Sequence, residues 1–199
     1  MAPVEEPITD YAQLDPDKIY TYADYLKWKF QERVELIRGK IFKMSPAPSR
    51  EHQKISRQLS LFIFPFFDKK QCQAYSAPFD VRLPVPKGKK PWTVVQPDLC
   101  VICEPGKLDE LGCAGAPDLV IEILSPGNSR KEMREKFEVY EEAGVREYWI
   151  VDPERETVIV YVLNEQGKYI GLPPRTSEQL ISPAIFPELQ IDLGEVFRE

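Results

Sequence analysis

Two acidic residues stand inside otherwise apolar, strand-like runs: Asp98 within residues 93–102 (TVVQPDLCVI) and Glu122 within residues 118–124 (DLVIEIL). A buried sheet has no cheap way to house an unpaired charge, so each carboxylate needs a cation, a basic partner or a proton. Carboxylate oxygens on neighbouring strands are the ligands that hard divalent ions such as Mg²⁺ prefer, and such ions serve phosphate-ester hydrolysis. Strand alternation puts Gln96 and Asp98 on one face of the first run, and Asp118, Val120, Glu122 and Leu124 on one face of the second. With neighbouring strands about 4.8 Å apart, Asp98 and Glu122 share one cation if the register brings them level. Asp118, beside Pro117 at the start of its run, reads as a strand-end cap at the surface. Glu122, between Ile121 and Ile123, does not admit that reading.

Three further side chains join this pair. Projected at 100° per residue, Met133, Phe137, Tyr140 and Ala143 form an apolar arc on a helix, and Lys136 falls inside it, whereas Lys131, Arg134, Glu135, Glu138, Glu141 and Glu142 lie outside. A lysine aimed at a sheet must snorkel or find an anion, which leaves open either a site residue or a purely structural Lys136–Glu122 ion pair. His52, the only histidine, projects into the arc of Ile55, Leu59 and Ile63, where a core histidine is the common reading. Glu35 has Arg33 two positions away on its own face, which a surface ion pair explains equally well. A basic run, Lys87-Gly88-Lys89-Lys90 ahead of Trp92, offers a weak phosphate-contact signal, and residues 125–129 before a helix lack P-loop spacing.

The elements that must position these groups fit one domain. At 199 residues with 43% hydrophobic and 29% charged residues, the chain can bury a sizeable core. A formal net charge of -6 removes any whole-molecule attraction to polyanions, so nucleic acid has to be held by local basic groups or metal. Acids near the N-terminus and the lack of an apolar run of ~20 residues lead to the expectation of a cytoplasmic protein with no membrane partner. In that compartment Cys72, Cys100, Cys103 and Cys113 are expected as thiols. The Cys100–Cys103 spacing points the two side chains to opposite strand faces, unsuited to one metal.

Residues 1–18 read as an N-terminal tail and 19–199 as a single domain. Thr21 with Asp24 at the capping-box interval opens a helix through about Phe30. Arg38-Gly39 joins residues 34–37 and 40–44 as a hairpin. Apolar residues at Ile55, Leu59, Phe62, Ile63 and Phe66 predict an amphipathic helix that Pro65 ends or kinks. Residues 79–83 read as a strand, a Gly-rich connection runs over 106–117, and a helix over 129–143 leads through Gly144 to a hairpin of 147–151 with 157–163. The Pro-rich stretch 173–187 reads as covering structure.

Taken together in order, ELIRG at 35–39, Ser45-Pro46 with His52 soon after, QPD at 96–98, PDLVIEILSP at 117–126, Lys136 with Tyr140, and GVREYWIVDP at 144–153 resemble the Uma-type endonuclease family. That family is assigned to the PD-(D/E)XK restriction-endonuclease-like superfamily, and the resemblance runs from about Tyr20 to the C-terminus. It implies an α/β fold of mixed α+β type: a mixed central β-sheet flanked by helices. It also implies Asp98 and Glu122 as metal ligands, with the Ile123 carbonyl as a further one, for Mg²⁺ or Mn²⁺. In the superfamily pattern a lysine follows the second acid by two residues, and here that position is Leu124. Lys136 is the natural migrated substitute, Glu35 the extra early carboxylate, and His52 a residue lining the cleft. The implied function is metal-dependent endonucleolytic hydrolysis of nucleic acid, with DNA the expected substrate and a homodimer compatible with the resemblance. The alternative, which Leu124 and the acidic charge favour, is a catalytically degenerate nuclease-like module that binds nucleic acid or a partner protein.

Overall fold

A computed structural model describes residues 7–44, 48–84, 92–125 and 130–198. Its N-terminal half contains α1 (Tyr22–Tyr25), β1 (Val34–Ile37), β2 (Lys40–Lys43), α2 (Arg50–Phe67), β3 (Gln73–Ser76), β4 (Val81–Arg82), β5 (Val94–Val95) and β6 (Leu99–Ile102). Then come β7 (Leu108–Asp109), β8 (Gly112–Ala114), β9 (Leu119–Ile123), α3 (Arg130–Ala143), β10 (Glu147–Asp152) and β11 (Thr157–Leu163). The chain ends in β12 (Tyr169–Gly171), β13 (Arg175–Thr176), β14 (Leu180–Ile181), β15 (Ile191–Asp192) and α4 (Leu193–Phe197). This is the expected mixed α+β architecture, with the strands divided between two larger sheets and one small hairpin.

The central sheet has the order β12-β11-β10-β9-β6-β3, with β13 added on β11. Its one parallel pairing, β9 with β10, is connected through α3, as a parallel crossover requires. Alternation along β9 divides the interior. Leu119, Ile121 and Ile123 face a core with Ile55, Leu59 and Ile63 of α2 and with Leu193, Val196 and Phe197 of α4. Val120 faces the other side, with Val139, Tyr140, Val145 and Tyr148. The β14–β15 hairpin and α4 complete the first core, with Ile181, Leu189 and Ile191 buried in it, in a region that had no element assigned from sequence beyond residue 187.

A second sheet, β2-β1-β5-β4-β8-β7, carries the β1–β2 hairpin. Arg38 and Gly39 at its tip hold φ of 51° and 75°, the positive pair that a type I′ turn demands. A Cβ on Gly39 would lie 2.5 Å from Cγ2 of Ile19 and 2.8 Å from the Tyr20 carbonyl oxygen, so no larger residue fits without displacing backbone. A third cluster, Leu14, Tyr20, Trp28, Val34, Leu36 and Val94, packs on this sheet. Ile8 and Tyr11 join it, so residues from the segment set apart as a tail contribute to packing.

Several expectations need correction. The run 93–102 is two strands in different sheets, because Pro97 supplies no N–H and interrupts the ladder; Asp98 lies immediately before β6. The Thr21–Asp24 capping box forms, but α1 spans only Tyr22–Tyr25 and not through Phe30. The strand over 79–83 is confined to β4. Pro65 sits inside α2, which continues to Phe67; so close to the C-terminus the missing N–H removes one helical bond without displacing the last turn.

Cys72 and Cys103, expected as thiols, form a disulfide, while Cys100 and Cys113 are free and buried. Antiparallel pairing of β3 with β6 sets Gln73 opposite Ile102, so the next pair outward is Cys72 and Cys103. Their separation of 31 residues gives no hint of that register. Among the described residues no helix is long and apolar enough to cross a membrane. The basic run 87–90 and residues 126–129 lie outside the described residues.

Candidate active site

Strand register assembles the site. β6 and β9 are antiparallel with Leu99 opposite Ile121, and continuing that register by one residue sets Asp98 level with Glu122. Asp98 Oδ2 accepts the backbone N–H of Ile123 at 2.8 Å, which fixes the carboxylate beside the end of β9. From α2, His52 Nε2 lies 3.2 Å from the same oxygen. Ser49 caps that helix by accepting the His52 N–H, and Ile55, Leu59 and Ile63 anchor its buried face, so the imidazole is carried to the sheet end by the packing of the whole helix.

Helix α3 supplies the cation. Lys136 Nζ lies 3.0 Å from Glu122 Oε1 and 3.0 Å from Glu35 Oε1, bridging the central sheet and the hairpin sheet. Tyr140, one turn further along α3, donates its hydroxyl to Glu122 Oε1 at 2.7 Å. Glu35 Oε1 also accepts the backbone N–H of Gln96 at 2.8 Å, while its Oε2 is buried without a hydrogen-bond partner. The Gln96 side chain accepts from Arg33 Nη2 at 2.8 Å and donates to Asp80 Oδ1 at 2.8 Å, locking the segment that leads into Asp98. Glu35, Lys136 and Glu122 are 1%, 6% and 9% exposed, so their charges interact with little screening by water.

Electrostatics follow from this burial. Removal from water pushes the Glu122 carboxyl up, to about 7; Lys136 opposes the rise, the charges of Asp98 and Glu35 add to it, and the Tyr140 hydroxyl counters it. Burial alone disfavours the Lys136 ammonium, yet the carboxylates of Glu122 and Glu35 outweigh it and hold Lys136 well above the ordinary lysine range. Burial likewise lowers His52, but the hydrogen bond and charge of Asp98, with the charge of Glu122, leave it raised.

The group opens onto a cleft of about 280 Å³, lined on the acidic side by Asp98, Glu122 and Lys136 and on the α2 side by His52, Ser56 and Arg57. Of the five residues singled out from sequence, His52, Asp98, Glu122 and Lys136 line this cleft, and Glu35, fully buried, joins them through Lys136. Asp118 stands apart, accepting from the Cys103 N–H and from Arg146 as a strand-end group. Sequence reading passed over Tyr140 as a site member, although its place four residues after Lys136 on one helix face was the available signal. Gln96 and Arg33 were not assigned a role in the site, since their contacts depend on how the two sheets meet. Two carboxylates facing one cleft, with room for water and phosphate oxygens, suit Mg²⁺, which keeps much of its water shell and takes few protein ligands. Among the described residues no group of three or more His, Cys, Asp or Glu side chains converges to hold an ion. A bound ion would therefore rest on the two carboxylates with water or substrate oxygens.

Comparison with known proteins agrees with the resemblance carried by the motifs. Residues 22–194 match the Uma2 family, described as "Putative restriction endonuclease". An uncharacterized protein of Synechocystis sp. is 24% identical over 190 residues, covering 94% of each chain. The fold is shared with a crystal structure from Anabaena variabilis, described as a putative nuclease belonging to DUF820. That match has a TM-score of 0.70 and 21% identity, over 89% of this chain and 97% of the other.

Proposed function

This chain belongs to the Uma2 family, and from that premise we propose that it is a metal-dependent endonuclease that hydrolyses phosphodiester bonds of DNA at the Asp98–Glu122 cleft. The observation that carries the reading is the level placement of Asp98 and Glu122 with Lys136 beside them, all three lining one cleft. Asp98 and Glu122 are the residues to hold Mg²⁺ or Mn²⁺. When bound, such an ion polarises the scissile phosphate and lowers the pKa of water. The chain's own groups do the rest. Lys136 carries a permanent positive charge into the cleft, where it orients the attacking water or offsets charge developing on phosphate oxygens. Glu35 and Tyr140 fix that ammonium and the Glu122 carboxylate through the bonds described above. His52 holds the second oxygen-bearing group, Asp98, in place.

A second reading is favoured by two particular features: Leu124 stands where the superfamily pattern has its lysine, and Lys136 is already paired with two carboxylates. On that reading the fold is a non-catalytic module for nucleic acid or a partner protein. Calorimetry with Mn²⁺ on the unmodified protein and on Glu122→Gln, paired with cleavage of supercoiled plasmid in Mg²⁺, separates the two. The endonuclease reading expects binding and cleavage that both disappear in the variant. Absence of metal binding, with plasmid intact at millimolar Mg²⁺ and Mn²⁺, would overturn it in favour of the module.

A further inference from the structure

The polar side of α2 carries a pattern that the carboxylate site does not use. Measured around the helix from His52, Ser56, Ser60, Gln53, Arg57, Arg50 and Lys54 lie on an arc from about 40° to 200° that is shared toward the C-terminal end with Leu61, Phe64 and Phe67, and no acidic residue of α2 falls within it. Glu51 lies beyond that arc, where it is held by Lys54 at 2.7 Å. The near edge of the arc, from Ser56 to Arg57, forms one wall of the cleft. The far edge lines an adjoining groove of about 630 Å³ bounded by Arg50, Lys54, Arg57 and Arg198, so Arg57 belongs to both.

The state of these cations matters more than their number. Arg50 and Arg57 are exposed and make no ion pair among the described residues. Across the cleft, Arg33 donates to the neutral amide of Gln96. In a chain with a net charge of -6, a helix side with unpaired arginines and no acid is a local reversal of the molecular field. Hydroxyl, amide and guanidinium groups together are the set that contacts phosphate backbones.

Resting on the endonuclease reading, we infer that the Arg57–Arg50–Lys54 side of α2 is the surface along which duplex DNA lies as its backbone enters the Asp98–Glu122 cleft. Arg50 and Arg57 are separated by seven residues, about 10 Å along the helix axis. Duplex DNA carries one charge per about 1.7 Å of its own axis, so a span of that length faces several phosphates. Because the contacts are to backbone oxygens, the surface binds without sequence preference.

The test is fluorescence anisotropy of a labelled 20-base-pair duplex in EDTA, from 50 to 200 mM NaCl, on the unmodified protein, on Arg50→Gln/Arg57→Gln, and on Arg175→Gln as a remote exposed control. Each backbone contact removed lowers the slope of log K against log salt by about 0.9. The double variant is therefore expected to lose about 1.8 from the slope and at least tenfold in affinity at 50 mM salt, with an unchanged circular dichroism spectrum, while Arg175→Gln leaves both untouched. An unchanged slope and affinity in the double variant, or an equal loss in Arg175→Gln, would overturn the assignment, as would a failure of the unmodified protein to bind duplex. Mg²⁺-dependent plasmid cleavage is scored separately: cleavage by the unmodified protein with an unaffected double variant refutes this surface alone, and absence of cleavage by the unmodified protein refutes the endonuclease reading.

Discussion

The face of the central sheet that packs on α2 and α4 and the face that packs on α3 are made by the same strands but differ in what they bury. On β9, Leu119, Ile121 and Ile123 pack their side chains into the apolar core with α2 and α4, whereas one residue away Glu122 meets Lys136 and Tyr140. The first face gains from every methylene removed from water. The second encloses charges whose mutual attraction is needed largely to offset their own desolvation. A fold that tolerates the second arrangement draws its stability from the first. The buried ion triad, Glu35–Lys136–Glu122, is then best understood as a site maintained by its surroundings.

Breaking the triad from one side is the severest test of that contrast. Lys136→Met leaves two buried carboxylates without a cation, and urea denaturation is expected to show a loss of about 3–5 kcal/mol. The triple variant Glu35→Gln/Lys136→Met/Glu122→Gln removes all three charges together and is expected to recover most of that loss while binding no Mn²⁺. A neutral outcome for Lys136→Met alone would erase the distinction between the faces.

On the apolar face, Leu119→Ala opens a cavity at a fully buried position and is expected to cost about 2–5 kcal/mol. Its Mn²⁺ affinity, measured by calorimetry well below the melting temperature, should match that of the unmodified protein. A loss of metal affinity comparable to that of Glu122→Gln would mean that the two faces are coupled more tightly than their packing indicates.

The two faces also differed in how far they were legible in the sequence. Alternation on β9 and the 3.6-residue arc of α2 are properties of local side-chain spacing, so Glu122 and the apolar core could be placed from that spacing, whereas spacing alone made His52 a core histidine and only the family resemblance set it in the cleft. Lys136 could be found because a lysine in an apolar arc is a local contradiction. What lay out of reach depends on register between distant segments: Asp98 level with Glu122, Glu35 delivered by a second sheet, Gln96 bonded to Glu35, and Cys72 opposite Cys103. The break at Pro97 was written in the sequence, but the apolar residues on both sides outweighed it. Pro65 shows the converse, a local breaker overridden by its position near a helix end.

Acidity tests the polar face next. The Glu122 carboxyl sits above its ordinary range, to about 7, chiefly through burial. A proton and a metal ion compete for this carboxylate, so Mn²⁺ affinity should level off above that pH and fall by up to tenfold per unit below it. Tyr140→Phe removes a donor that favours the ionised carboxylate, and the midpoint should move upward by about one unit, the equivalent of ~1.4 kcal/mol. Calorimetric titrations between pH 5 and 9 read this directly. A downward shift would show that the Tyr140 hydroxyl serves the neutral acid.

The smallest expected effect lies at the rim of the polar face. Arg38, at the hairpin tip, reaches Glu135, Glu138 and Glu142 on α3 and so ties the strand that carries Glu35 to the helix that carries Lys136. These partners are partly or well exposed, so solvent screens the pairs and their stabilisation is slight. Arg38→Ala should lower the melting temperature by less than Leu119→Ala does, and the difference from the unmodified protein should vanish in 1 M NaCl, where the Debye length falls to about 3 Å. The deficit of Leu119→Ala has no such salt dependence, because no ion pair is lost. If the Arg38→Ala deficit persists at high salt, the clasp works through packing of the arginine stem against α3, and the polar face would then share the stabilising chemistry of the apolar one.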